Sequence, residues 1–344
     1  MVHAPATMAD VARIARVSTA TVSHYLNKTR RLLPDTENRV RDAIEELDYI
    51  LDPAARTLRA GSSNVIGLAM SAVSNPYFSA LAQELESLLS EHGKSILLMD
   101  THDNTQREQQ VVQELIARRV DGLVLAPSAS ADQAVRLAER YQIPLTLVDR
   151  FEPEHECDQA AVKSSDALAV LTGHLLELGH TRIGMITGER GLPTTEERIE
   201  GFVAAHRQAG LEVDEKLMIS GQSTRAGGYA AADQLLRRRS RPTALVSGNN
   251  AMTIGTLRLL KERGVRVPAD VAFVCFDDFE WADLFEPGLT AVAQPIRALA
   301  ETTVDLLLTR IADDQTGIRR VQLEPTIMHR TSCGCLPGTP LGVE

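Results

Sequence analysis

Thr19, Ala20, Thr21, Ser23, His24 and Asn27 fall in one short stretch, and together they suit the edge of a DNA duplex. Small hydroxyl side chains allow close approach and bond phosphates, an alanine methyl packs on a thymine methyl, and a histidine reaches a base edge. A second candidate is Cys333-Gly334-Cys335, whose two thiols could form a metal clip or a redox pair. With no second cysteine pair and no histidine at ligand spacing, these are expected to be ordinary thiols on a frayed tail, and no metal or cofactor is expected. The sequence holds no glycine-rich phosphate cradle and no nucleophile elbow, so an enzyme is not expected.

The first set must be positioned by short helices. Thr7 can cap a helix over Met8–Ala15, Arg16-Val17-Ser18 makes a tight connection, and Ser18 caps a second helix over Thr19–Asn27. Pro34-Asp35 opens a third helix reaching about Asp48, with Val40, Ile44 and Leu47 on one face. Helix, three-residue turn and helix is the spacing of a helix-turn-helix, whose second helix enters the major groove. A small core helix with a polar face would show a similar pattern. Asp52-Pro53 begins a further short helical segment, which ends by Gly61-Ser62-Ser63. The expected division is a DNA-binding domain over residues 1–50, a hinge helix and linker over 51–63, and a core over 64–340.

Charge fits that division. The 344 residues carry a net charge of −10, yet in the first 60 the nine Arg and Lys outnumber Asp and Glu, so the excess of acid lies in the remainder. A weakly basic head on an acidic body suits a protein that touches DNA at one end. The composition, 44% hydrophobic and 24% charged, is that of a globular protein with more than one folded unit. No apolar run is long enough for a membrane span, and the first ten residues lack a signal peptide's pattern, so a cytoplasmic location is expected. Four cysteines make no disulfide framework, and Cys157 and Cys275, in or beside apolar stretches, read as buried thiols.

From Asn64 the rhythm changes to short apolar strands alternating with amphipathic helices. Strands are expected at Val65–Met70, Ser95–Met99, Gly122–Ala126 and Leu145–Val148, then at Arg182–Thr187, Lys216–Ser220, Ala244–Ser247 and Val271–Phe276. Two such runs divided near residue 160 imply two doubly wound lobes of parallel sheet, with a ligand site where the carboxyl ends of their strands face each other. The expected lobes are about 64–160 with 294–322, and about 161–293 with 323–340.

The runs Met8–Ala15, Val17–His24, Leu26-Asn27, Ala43–Tyr49 and Pro53–Leu58 resemble the LacI/GalR family of bacterial transcriptional regulators, most closely its purine and ribose repressors. The resemblance continues through Asn75–Phe78, Arg119–Leu123, Leu178–Ile183, Arg241–Ala244 and Val267–Val271, so it covers nearly the whole chain. It implies an all-α helix-turn-helix head on a periplasmic-binding-protein-like core, with Thr19, Ala20 and His24 as the main base readers. It also implies that Pro53–Arg59 is a hinge helix, with Leu58 wedged into the minor groove beside Ala55 and Arg59. About two turns of helix do not persist alone in water, so such a hinge would order only when two copies pair on DNA. Two departures stand out: Leu51 replaces a proline common in the family, and Arg30–Pro34 replaces a glycine-containing turn.

By the same resemblance the effector cleft is lined by Asn75, Asp149, Arg198, Asn249, Asp277 and Gln294, with Tyr77 or Phe78 against a sugar face. Carboxylates, amides and a guanidinium fork suit adjacent hydroxyls. Arg150, beside Asp149, would add positive charge and admit a sugar acid or phosphosugar, whereas Leu192 and Ser223 disfavour a purine. Individually, Asp149–Arg150 could be a neighbouring ion pair, Asp277 a loop cap and Arg198 a solvated helix charge. The expected function is a homodimeric repressor of carbohydrate genes, released from a palindromic operator by a sugar-like effector. Dual control or activation, and a nucleobase or sugar-acid effector, are the alternatives; a sugar enzyme and a stand-alone solute receptor are the competing classes. The chain runs on only briefly past Arg330 without a leucine heptad, so a dimer rather than a coiled-coil tetramer is expected.

Overall fold

The computed structural model describes residues 6–27, 29–49, 62–71 and 75–335. It divides into two compact units, Met1–Ser63 and Asn64–Glu344. The hinge residues Ala55, Leu58 and Arg59 lie outside the described residues, as does the side chain of Asn27.

The first unit is built from α1 (Met8–Ala15), α2 (Thr19–Asn27) and α3 (Pro34–Glu46). Thr7 and Asp10 form a reciprocal capping box: Thr7 Oγ1 accepts from the Asp10 N–H at 3.3 Å, and Asp10 Oδ2 accepts from the Thr7 N–H at 3.1 Å. These bonds from Thr7, with help from Arg13, hold the Asp10 carboxyl below its usual range. Arg16 adopts a left-handed conformation, φ 54°, which ends α1 and turns the chain sharply into α2. Ser18 Oγ then accepts from the Thr21 N–H at 3.1 Å at the start of α2. Val11, Ala12, Ala15, Val22, Val40 and Ala43 form the buried core that fixes the three helices against one another.

Among its described residues the second unit holds twelve strands in two sheets. In chain order they are β1 (Val65–Met70), β2 (Ser95–Asp100), β3 (Gly122–Leu125), β4 (Leu145–Asp149), β5 (Asp158–Val162), β6 (Ile183–Thr187), β7 (Met218–Ser220), β8 (Ala244–Ser247), β9 (Ala272–Phe276), β10 (Thr290–Ala293), β11 (Arg320–Leu323) and β12 (Thr326–Met328). The first sheet runs β11-β5-β4-β3-β1-β2 and the second β12-β10-β9-β8-β6-β7. After its first strand, the second order repeats the first with each of the five remaining labels advanced by five, which makes the lobes topological copies. Helices α4 (Pro76–Glu91), α5 (Thr105–Ala117), α6 (Asp132–Tyr141) and α11 (Ile296–Ala312) cover the first sheet. Helices α7 (Ser164–Glu177), α8 (Pro193–Gln208), α9 (Arg225–Leu236) and α10 (Asn250–Glu262) cover the second. Strands buried on both faces read as the continuous apolar runs seen in the sequence.

The chain crosses between lobes three times, after β5, after β10 and after β11. Each of those strands is parallel to its inner neighbour, so every crossing leaves from the carboxyl edge, the edge that faces the cleft. This explains the one departure from a purely parallel arrangement. The chain leaving β11 enters the second lobe from its cleft side, so β12 must run against β10, and it does.

Two helix pairs owe their closeness to glycine. A Cβ on Gly201 of α8 would strike the Ser165 carbonyl of α7, and one on Gly255 of α10 would strike the Arg225 carbonyl of α9. Those contacts set the depth of α8 and α10, both of which begin at the cleft. Arg310 of α11 ties the first lobe together from behind, pairing with the buried Asp158 of β5 at 2.9 Å.

The cysteine pair does not lie on a frayed tail. Cys333 is fully buried and Cys335 nearly so. After β12 the chain turns back into the core: Ser332 Oγ donates to the Phe273 carbonyl at 2.6 Å and accepts from the Thr290 N–H at 2.8 Å. Cys275 is buried and Cys157 half-buried, and burial pushes both thiols up to about 12. No helix among the described residues is long and apolar enough to cross a membrane.

Candidate nucleic-acid interface and ligand cleft

The helical repeat puts Thr19, Ser23 and Asn27 on one line of α2 and Ala20 and His24 on the adjacent line. Thr19 and Ala20 are exposed and Ser23 and His24 half-buried, while Val22 points the opposite way into the core. This separation gives the helix one face for packing and one for a partner. His24 Nδ1 lies 2.8 Å from Thr29 Oγ1, a bond that orients the ring and leaves Nε2 as the nitrogen outside that bond. If Thr29 donates, Nε2 carries the proton and suits guanine; if the ring donates, Nε2 accepts and suits an amino group. Thr21 is turned toward the turn instead, its hydroxyl 2.9 Å from Ser18 Oγ.

In the second unit, a cleft between the lobes encloses about 490 Å³, solvent at its mouth included. All nine residues expected there line it: Asn75, Tyr77, Phe78, Asp149 and Arg150 from the first lobe, Arg198, Asn249 and Asp277 from the second, and Gln294 from a crossing segment. Asn75 and Asn249 are helix caps: Asn75 Oδ1 accepts from the Tyr77 N–H at 3.0 Å and Asn249 Oδ1 from the Met252 N–H at 2.8 Å. Each amide is thereby fixed in rotation, so its remaining polar capacity is aimed rather than loose.

Tyr77 is not a flat stacking platform. Its hydroxyl is buried and donates to Asp149 Oδ1 at 2.7 Å, and burial, with the Asp149 charge, pushes the phenol well above its usual range. Burial likewise raises the Asp149 carboxyl, against the opposing pull of Arg150, Tyr77 and Arg198. Gln294 Nε2 donates to Asp277 Oδ1 at 2.6 Å, and the Asn250 N–H reaches Asp277 Oδ2 at 3.3 Å. Arg198 is not a solvated charge: its guanidinium lies 3.7 Å above the Phe276 ring, and Nη1 donates to the Gly248 carbonyl at 2.6 Å. Its buried Nε has no hydrogen-bond partner among the described residues.

Arg150 corrects the expectation of a positive cleft. Its Nη1 donates to Asp103 Oδ1 at 2.6 Å and to the Pro127 carbonyl, and its Nε is 3.8 Å from Asp149. Burial alone would weaken its proton, but Asp103 and Asp149 outweigh that and hold it charged. Nη1 of the guanidinium is thus engaged within the protein, while its buried Nε has no hydrogen-bond partner among the described residues. The cleft carries three carboxylates, Asp103, Asp149 and Asp277, against two guanidinium groups. Sequence reading missed Asp103, as well as Thr194 and Thr195 at the start of α8. The signal available was position, since all three follow the carboxyl ends of strands.

A head whose described residues form three helices, the second with a polar face, in one chain with a two-lobed core and its polar cleft, defines a ligand-responsive DNA-binding regulator. Residues 7–52 match the bacterial regulatory proteins of the lacI family, and residues 172–333 match the periplasmic binding protein-like domain. The ribose operon repressor of Escherichia coli (strain K12) is 35% identical over 328 residues, which is 95% of this chain and 99% of that protein. The HTH-type transcriptional repressor PurR of Aliivibrio fischeri (strain MJ11) is 32% identical over 330 residues, 95% of this chain and 98% of that one. Among solved structures, the lac repressor dimer bound to operator and the anti-inducer ONPF superposes with a TM-score of 0.85 at 25% identity, covering 96% of this chain and 99% of that chain. The transcriptional regulator CelR–cellobiose complex gives 0.72 at 28% identity, with 95% and 99% covered. The chain belongs to the LacI family of bacterial transcriptional regulators.

Proposed function

We propose that this protein is a homodimeric repressor of carbohydrate genes, and that a neutral sugar bound in the cleft releases it from a palindromic operator. One observation carries the effector reading: carboxylate, amide and guanidinium groups converge from both lobes on a single cleft in which three carboxylates face two guanidinium groups, one of them, Arg150, already paired with Asp103. Such a surface bonds neighbouring hydroxyls and repels a further anion, which favours a neutral sugar over a sugar acid or phosphosugar. The ribose operon repressor among the relatives, and a family member solved with bound ribose, make a pentose the first candidate.

In this reading Thr19, Ala20, Ser23, His24 and Asn27 serve the major groove, with Thr21 bonded to the turn instead, and Ala55, Leu58 and Arg59 serve the minor groove. A dimer follows from the short reach of one recognition helix, since paired half-sites multiply affinity. The protein acts in the cytoplasm, where its operator is, and it carries out no catalytic step.

The experiment is a footprint on the region upstream of its own gene, with and without ribose and a panel of neutral pentoses and hexoses. A protected palindrome that is lost on adding one of these sugars supports the reading. Protection unaffected by every sugar in the panel sinks the effector half, and no preference for any palindrome over random duplex sinks the whole.

A further inference from the structure

Two stretches of chain that are far apart in sequence bring four side chains together in the second lobe. His174 comes from α7, His329 follows β12, and Cys333 and Cys335 lie in the turn beyond. Their donor atoms all lie within 4.8 Å of one another. Cys333 Sγ is 3.4 Å from His329 Nε2, and Cys335 Sγ is 3.3 Å from His174 Nε2. The two imidazoles meet edge to face, with centroids 5.0 Å apart. His174 and both cysteines are buried, and His329 is half-buried.

We propose that His174, His329, Cys333 and Cys335 form a structural zinc site. Tetrahedral bonds of about 2.3 Å to sulfur and about 2.0 Å to nitrogen place sulfur and nitrogen ligands about 3.5 Å apart, the separation seen in both pairs. Two thiols and two imidazoles would be a poor buried cluster by themselves, because a thiol is a weak donor. Zinc completes it: a divalent ion with two thiolates and two neutral imidazoles carries no net charge, so nothing uncompensated is buried. On binding, the thiol protons pass to solvent.

The site would fasten the end of the third interlobe crossing to α7. Thr290 Oγ1 of β10 donates to Cys333 Sγ at 3.4 Å and accepts from the Arg330 N–H at 3.1 Å, so the clamp also reaches the sheet that supports Asp277. It stands apart from the cleft and does not depend on the sugar reading.

The test is metal analysis of the purified full-length protein, kept reduced and free of chelator, together with cobalt(II) substitution. About one zinc per chain is expected, with the intense visible absorption of tetrahedral cobalt and a thiolate-to-cobalt charge-transfer band. His329→Ala removes the least buried ligand, so the fold survives to be checked by circular dichroism, and zinc retention should fall at least tenfold. A wild-type chain that takes up no stoichiometric zinc on reconstitution under reducing conditions overturns the proposal. So does a cobalt complex without the charge-transfer band, or zinc held unchanged by the Cys333→Ser, Cys335→Ser double variant.

Discussion

Asp149 and Asp277 hold the same place in the two lobes. Each stands at the carboxyl end of the third strand of its sheet, β4 or β9, and each has a left-handed backbone, with φ of 72° and 71°. Aspartate and asparagine tolerate that region better than most residues, so the backbone and the chemistry both favour a short polar side chain here. Asp149→Asn therefore keeps the backbone and removes only the charge. A charged hydrogen bond to a ligand hydroxyl is worth about 1.5–3 kcal/mol, so calorimetry with the releasing sugar should show affinity down by roughly tenfold to a hundredfold. An unchanged affinity would remove Asp149 from the site.

The same carboxyl predicts a pH dependence. Its folded-state pKa is raised by burial, so on acidification it takes up a proton before an ordinary carboxylate does. The sign for stability follows: the native state binds this proton more tightly than the unfolded chain, so the contribution is present below the unfolded pKa and is lost as pH rises through the folded one. Sugar binding runs the other way, because the protonated acid loses acceptor capacity. Affinity should fall with pH at values above the ordinary carboxylate range, and the Asp149→Asn variant should show a flatter profile. Parallel profiles for the two proteins would count against this assignment.

Arg198 makes a different demand. Its planar guanidinium both covers the Phe276 ring and bonds the Gly248 carbonyl, which an ammonium group cannot reproduce together. Arg198→Lys keeps the charge and loses the plane. Sugar affinity is expected to fall by about tenfold or more while the melting temperature changes little, since the positive charge facing Asp149 and Asp277 remains. A variant that binds sugar normally would show that only the charge matters.

Much of this was legible in the sequence, and the failures have a common cause. Thr7 with Asp10, Ser18 and Pro34 mark helix starts whose partners are three residues away or fewer, so local chemistry suffices. Fully buried strands such as β3, β4 and β9 announce themselves as apolar runs. Strand β5 begins Asp-Gln and carries two alanines, and its place is fixed by neighbours on both sides and by Arg310, none of them local. Arg150 was read against its neighbour Asp149, but its principal partner, Asp103, comes from the loop after β2. Likewise the reading of Cys333 and Cys335 passed over His329, four residues before Cys333, and could not place His174, which arrives from α7 far away along the chain.

Close helix packing gives a stability prediction. The Cβ of Gly201→Ala would meet the backbone carbonyl of Ser165, and backbone cannot swing aside as a flexible side chain can. Helices α7 and α8 must part, at a cost of about 1–3 kcal/mol. Chemical denaturation of the second unit should show a lower midpoint with an unchanged slope. Because α8 carries Arg198, sugar affinity should fall with it, whereas Gly173→Ala on α7, where the added methyl meets nothing within 4 Å, should change neither.

The head can be tested for reading and for folding separately. His24 is oriented by Thr29 and faces away from the core, so His24→Ala should leave the helices intact. Loss of one base contact weakens specific operator binding by about 1–3 kcal/mol while affinity for random duplex stays level, so the specificity ratio is the quantity that changes. Val22 is fully buried between the helices, so Val22→Asp places an unpaired charge in a small core and should unfold the head. Such a variant should lose all duplex binding, specific and nonspecific alike, yet still bind sugar, because the second unit has its own hydrophobic cores. In gel-shift titrations at several salt concentrations, His24→Ala should keep the wild-type salt slope, since phosphate contacts set that slope and base contacts do not. A flattened slope would place His24 on a phosphate instead of a base.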